Sequence, residues 1–119
     1  QEIVELDAIK IDNQKHWEEV ISAMQNVMQG NGTARNVGKD APYRMAGKSG
    51  TVQVISIGQE EEYDEDNIEE KFRDHALFIS FAPTESPKIA VSVIIENGQS
   101  GSQVAAPIAK AIMDKYLGY

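Results

Sequence analysis

The 119-residue chain contains no cysteine. That excludes a disulfide framework, a thiolate nucleophile and a Cys-ligated zinc, and it leaves the redox compartment open. Positive charge is also scarce: 11 Lys+Arg stand against 19 Asp+Glu, a formal net charge of −8. No Lys/Arg-rich stripe interleaved with aromatics occurs, so the electrostatic footprint of a nucleic-acid binder is missing. Only two histidines are present, His16 and His75, far apart and outside any H-E-x-x-H spacing, so neither a metal nor a cofactor is expected. No apolar run is long enough to cross a bilayer, and no charged-then-apolar leader opens the chain. Because the chain begins at Gln1, a piece of a longer protein is expected, with any exporting or anchoring segment outside these residues.

What is present is ordinary for a folded domain with one modest core: 41% hydrophobic and 25% charged residues. From His16 to Met28, the residues Trp17, Val20, Ile21, Met24, Val27 and Met28 recur at spacings of three and four. This predicts an amphipathic helix stopped by the "GNG" at 30–32, with Trp17 and the methionines as core. Residues 33–42 lack periodicity and read as a loop. Residues 48–57 alternate, which predicts a strand with Ser49, Thr51 and Gln53 on one face and Val52 and Val54 on the other. Eight acidic residues then fall within positions 60–70, a self-repelling run that reads as a solvated connection with a short helix near 67–73. It lacks the spacing of a calcium loop.

"HALFISFAP" (75–83) and "KIAVSVIIEN" (88–97) are two β-rich runs joined by "TESP", which suits an antiparallel hairpin, and the pair Asp74-His75 is expected to anchor it by hydrogen bonds. Both alternate faces of these runs are mostly apolar, as in strands covered on both sides by helices. Apolar residues at helical spacing predict a closing helix from about Ser102 to Leu117, with Pro107 tolerated near its first turn. The expected class is α+β, an antiparallel sheet with helices on both faces. Three strands and two helices are thin for such a sheet, so more protein is expected to complete it.

The chemistry concentrates in Lys48-Ser49-Gly50-Thr51. A cation and two hydroxyls at the start of a strand form a receptor for a carboxylate, and Gly50 lets a ligand approach the backbone. A backbone N–H there could hold an oxyanion, and a strand edge could pair with an extended peptide. An ideal pleat points Lys48 away from Ser49, so the lysine stem must bend around the strand for the two to act together. Taken alone, Lys-Ser-Gly is also a common surface turn. Gln53 continues the polar face, as a substrate contact or a solvated side chain.

In order along the chain, the helix at 16–28, "NGTA", "YRMAGKSGTVQV", "DHALFISFAP", "KIAVSVIIENG" and "AAPIAKAIMDKYL" resemble the C-terminal third of the penicillin-binding-protein transpeptidase domain. The pairing of "RMAGKSGTVQV" with "RDHALFISFAP" is most similar to the elongation-specific class B branch of Gram-negative bacteria. The resemblance implies that residues 1–119 are the C-terminal segment of a single transpeptidase domain, the remainder lying upstream. It implies that Lys48 and Ser49 bind the carboxylate of a stem peptide or β-lactam, that Gly50 keeps the groove open, and that Thr51 adds a hydroxyl contact and a backbone oxyanion-hole N–H. The implied reaction is peptidoglycan cross-linking by serine acyl transfer at D-Ala-D-Ala. Implied partners are the stem peptide, β-lactams, the upstream part of the same domain, a lipid II polymerase and a shape-determining scaffold protein. The implied location is periplasmic, the parent anchored in the inner membrane by an N-terminal helix.

The family's S-x-x-K and S-x-N motifs are absent: no Ser here has Lys three residues later or Asn two residues later. The nucleophile is therefore expected elsewhere, and these residues alone should not acylate. A serine β-lactamase or carboxypeptidase segment, and a non-catalytic peptide-carboxylate-binding module, remain as alternatives.

Overall fold

A computed structural model describes residues 9–54 and 68–119. The elements run α1 (Gln14–Val27), a single turn α2 (Arg35–Gly38), β1 (Ala46–Val52), a 3-10 turn (Glu70–Phe72), β2 (His75–Ala82), β3 (Ile89–Ile95), a π-helical turn (Gly101–Ala105) and α3 (Ala106–Leu117). The strand expected over 48–57 starts earlier, at Ala46, and ends at Val52, leaving Gln53 and Val54 outside it; its remainder from 55 and the acidic run through residue 67 lie outside the described residues.

The strands form an antiparallel sheet in the order β1-β2-β3. Its register pairs Ser49 with Phe78 and Phe78 with Val93. Opposed residues share a face, so Gly47, Ser49 and Thr51 lie on the same side as Ala76, Phe78, Ser80 and Val93. Lys48, Gly50 and Val52 lie on the other side with Leu77, Ile79 and Ile94. The expected hairpin is present, closed by Lys88 N–H donating to the Ala82 carbonyl at 2.9 Å.

The core sits on the first face. Phe78, Ala82 and Val93 pack with Met28, Met45, Ala105, Ala106, Ala109 and Met113. Small residues at 105, 106 and 109 let α3 approach closely, and the buried Phe78 ring contributes about 1.5–3 kcal/mol by leaving water. Gly47 is required beneath it, since a Cβ there would lie 2.6 Å from Phe78 Cζ and 3.1 Å from Met28 Sδ. On the opposite face Val52, Ile79 and Ile94 are 48%, 51% and 61% exposed. Apolar alternation on both faces of β2 and β3 is thus real, while the described helices gather on one.

Two expectations are corrected. Trp17 is not core: it is 48% exposed, because α1 joins the buried cluster through its C-terminal end at Val27 and Met28 and nothing among the described residues buries its upstream turns. Residues 33–42 are not wholly irregular either, since Val37 and Gly38 N–H donate to the Ala34 carbonyl and close the α2 turn. As expected, α1 is a helix, begun by Asn13, whose side chain accepts the Lys15 N–H at 3.0 Å.

Candidate functional site

The Lys-Ser-Gly-Thr stretch lies wholly within β1, an outer strand of the sheet. Its position is set at its entry. Upstream, Met45 and Ala46 are buried, and the Arg44 carbonyl accepts the Thr84 N–H at 3.0 Å, which ties the entry of β1 to the hairpin turn. Tyr43 donates its phenolic hydrogen to Asp114 Oδ1 at 2.7 Å, and Lys110 Nζ reaches Asp114 Oδ2 at 2.6 Å, so α3 holds the same entry. Burial, then the bond to Asp114, pushes the Tyr43 phenol well above its usual range. Burial alone would raise the Asp114 carboxyl, but the hydrogen bonds from Lys110 and Tyr43 outweigh it and hold the group below the ordinary carboxylate value.

Lys48 and Ser49 point to opposite faces, as the pleat dictates, yet the lysine stem does bend back: Lys48 Nζ donates to the Ser49 backbone carbonyl. The ammonium is thereby held against the strand that carries the two hydroxyls. On the other face Ser49 Oγ lies 3.5 Å from Thr33 Oγ1, and Thr51 Oγ1 donates to the Gln99 carbonyl at 3.4 Å. Lys48 and Thr51 are exposed, while Ser49 and Gly50 are half-buried. Backbone groups two residues apart point the same way along a strand, so the Thr51 N–H lies on the edge that carries the Ser49 carbonyl. Gln53 falls beyond the end of β1 and is exposed, outside the alternation that links Ser49 to Thr51.

The structure brings two further parts to the site that the residue pattern did not single out as site residues. Thr33, on the loop after α1, contributes a third hydroxyl beside Ser49. The turn at 97–101 reaches Gly50 and Thr51 through Gln99 and Gly101. The signal available for the second was Asn97-Gly98, a turn dipeptide directly after a strand. His75 anchors that turn by accepting the Asn97 N–H at Nδ1, 2.9 Å away. A cavity of about 700 Å³ opens between α2 and α3, lined by Thr33, Asp40, Ser102, Gln103, Lys110 and Asp114 among others. It touches the site through Thr33. No three His, Asp or Glu side chains among the described residues converge as a metal site would require. The arrangement can bind an anion and polarise a carbonyl, and none of its own groups is a hydroxyl with an adjacent base.

The family model for the penicillin binding protein transpeptidase domain matches residues 7–114. The peptidoglycan D,D-transpeptidase MrdA of Haemophilus influenzae is 46% identical over 102 residues, covering 85% of this chain and 16% of that protein. The protein of the same name from Escherichia coli strain K12 is 40% identical over 103 residues, covering 86% of this chain and 16% of its own length. Among solved structures, Pseudomonas aeruginosa PBP2 in complex with WCK 5153 is similar with a TM-score of 0.77 and 44% identity, over 98% of this chain and 24% of that one. The complex between PBP2 and MreC from Helicobacter pylori gives a TM-score of 0.68 and 28% identity, over 89% and 18%. The chain thus spans 16% of the length of these curated relatives.

Proposed function

This chain belongs to the penicillin-binding protein transpeptidase family, and on that premise we propose that it is the C-terminal segment of a peptidoglycan D,D-transpeptidase domain acting in cell elongation. The observation that carries the reading is the placement of Lys48, Ser49, Gly50 and Thr51 on one outer strand, with the ammonium drawn back onto the Ser49 carbonyl. In this role Lys48 and Ser49 hold the terminal carboxylate of a stem peptide or the carboxylate of a β-lactam, Thr51 adds its hydroxyl, and Gly50 keeps the backbone approachable. A serine outside this segment attacks the carbonyl carbon of the D-Ala-D-Ala bond. The Thr51 N–H stabilises the oxyanion, the C–N bond breaks, and D-Ala leaves as the amine. An amine of a neighbouring strand then attacks the ester, and the serine hydroxyl is restored. Upstream residues of the same domain bring the nucleophile and cover the exposed face of Ile79 and Ile94. The parent is periplasmic and anchored in the inner membrane, and it works with a lipid II polymerase and a scaffold of the MreC kind.

The test is acylation of the intact transpeptidase by fluorescent penicillin. Lys48→Ala and Ser49→Ala should each lower the second-order acylation rate at least about tenfold while the melting temperature holds. The 119-residue chain by itself should remain unlabelled. Unchanged rates in both variants, or covalent labelling of the chain alone, would overturn the reading.

A further inference from the structure

The turn that leaves β3 is anchored to β2 and ends against β1. Asn97 and Gln99 are non-glycine residues with left-handed φ of 57° and 60°. Such residues persist only where their surroundings enforce the conformation, and they gather at functional sites. Here the enforcement comes from three consecutive residues. His75 Nδ1 accepts the Asn97 N–H at 2.9 Å, the Arg73 carbonyl accepts Asn97 Nδ2 at 2.9 Å, and the Asp74 carbonyl accepts the Gln99 N–H at 2.8 Å. Because His75 accepts at Nδ1, the neutral ring carries its proton on Nε2.

The far end of the turn bears on the site. The Gln99 carbonyl accepts from Thr51 Oγ1, and Gly101 sits so close to β1 and β2 that a Cβ would lie 2.1 Å from the Leu77 oxygen and 2.8 Å from the Gly50 oxygen. The turn therefore fixes the carbonyl of the peptide unit whose nitrogen is the Thr51 N–H, and it gives the Thr51 hydroxyl a resting partner. At 3.4 Å that hydroxyl bond is long, so an arriving carboxylate, a charged acceptor, displaces it without moving the side chain.

We infer that His75 and Asn97 are positioning residues of the acyl-transfer site: they lock the 97–101 turn that holds the Gly50–Thr51 peptide in register for the oxyanion. The inference rests on the reading of Thr51 as a site residue. Neither side chain touches the substrate. Their effect reaches the reacting carbonyl through Gly101, which stands against the Gly50 carbonyl.

The experiment measures penicillin acylation of the intact transpeptidase, with rates taken per titratable site and resolved into the binding constant and the acylation rate constant. His75→Ala and Asn97→Ala should each lower the acylation rate constant about tenfold and change binding less than about twofold, because the loss falls on the transition state. His75→Asn, whose Oδ1 stands where Nδ1 stood, should recover most of that loss. A merely structural role would reduce the number of titratable sites and leave the rate per site unchanged, which overturns the inference. An unrecovered rate in His75→Asn overturns it as well. Should His75→Ala not give folded enzyme, Asn97→Gly decides: it keeps the left-handed backbone and removes the amide bond, so a wild-type rate there rejects the positioning role. Failure of the wild-type enzyme to acylate at all would count against the functional reading instead.

Discussion

At the scale of single residues, Tyr43, Asp114 and Lys110 join α3 to the entry of the site strand, the Tyr43–Asp114 bond spanning 71 positions of sequence. The bond from Tyr43 ends on a carboxylate, so Tyr43→Phe should cost about 1–2 kcal/mol at neutral pH. Its pH dependence has a definite sign. The carboxyl of Asp114 is held low, so its contribution is present above about pH 4 and lost as pH falls through the acid range. The phenol of Tyr43 is held high, so its contribution is complete below about pH 10 and lost as pH rises beyond it. Chemical denaturation of wild type and Tyr43→Phe across pH should show a difference that is widest near neutrality and narrows at both extremes. A difference independent of pH would mean that the pair is not coupled. The sequence made Lys48, Ser49, Gly50 and Thr51 visible as a group because their chemistry is written in consecutive letters. It did not make Thr33 or the Tyr43–Asp114 pair visible, since those meetings are created only by the packing of the α1 loop on β1 and of α3 on the sheet.

At the scale of elements, the period-two and three-to-four-residue patterns located α1, β2, β3 and α3 to within a few residues. They failed where backbone contact, rather than side-chain pattern, decides the geometry. The expected helix from about Ser102 begins instead as a π-helical turn at Gly101–Ala105, and the α-helix proper starts at Ala106 with Pro107 in its first turn. Pro107 lacks an N–H and loosens the preceding ladder, and Gly101 is wedged against the Leu77 and Gly50 carbonyls, so the chain widens to meet both constraints. Gly101→Ala is accordingly predicted to destabilise the fold by about 1–3 kcal/mol, read from the denaturant midpoint. It should also slow acylation in the intact enzyme. An Ala variant as stable as wild type would show that the close approach of the turn to β1 and β2 is not maintained in solution.

At the scale of the molecule, the sheet is a half-covered object. One face carries Phe78, Val93 and the Ala-rich side of α3, whereas the other shows Val52, Ile79 and Ile94 about half exposed or more, and α1 adds Trp17 and Val20 at 48% and 52%. Exposed apolar surface of this extent marks a contact surface, and under the reading proposed above it is the one that the upstream part of the domain covers. Alternation announced the apolar character of both faces of β2 and β3, but no pattern within the chain could say which face its own helices would take. That choice follows from Gly47 and the alanines of α3, whose small size admits close packing on the Phe78 side only. The two settings can be separated with one substitution. In the 119-residue chain Ile94→Lys places a solvated charge on open surface, so its stability should change by less than about 0.5 kcal/mol and its self-association, followed by sedimentation velocity, should fall. In the intact transpeptidase the same lysine would be buried without a partner, and the variant should lose about 2 kcal/mol or more. Equal, small effects in both settings would show that Ile94 stays in water in the complete enzyme, and that the upstream part of the domain packs elsewhere.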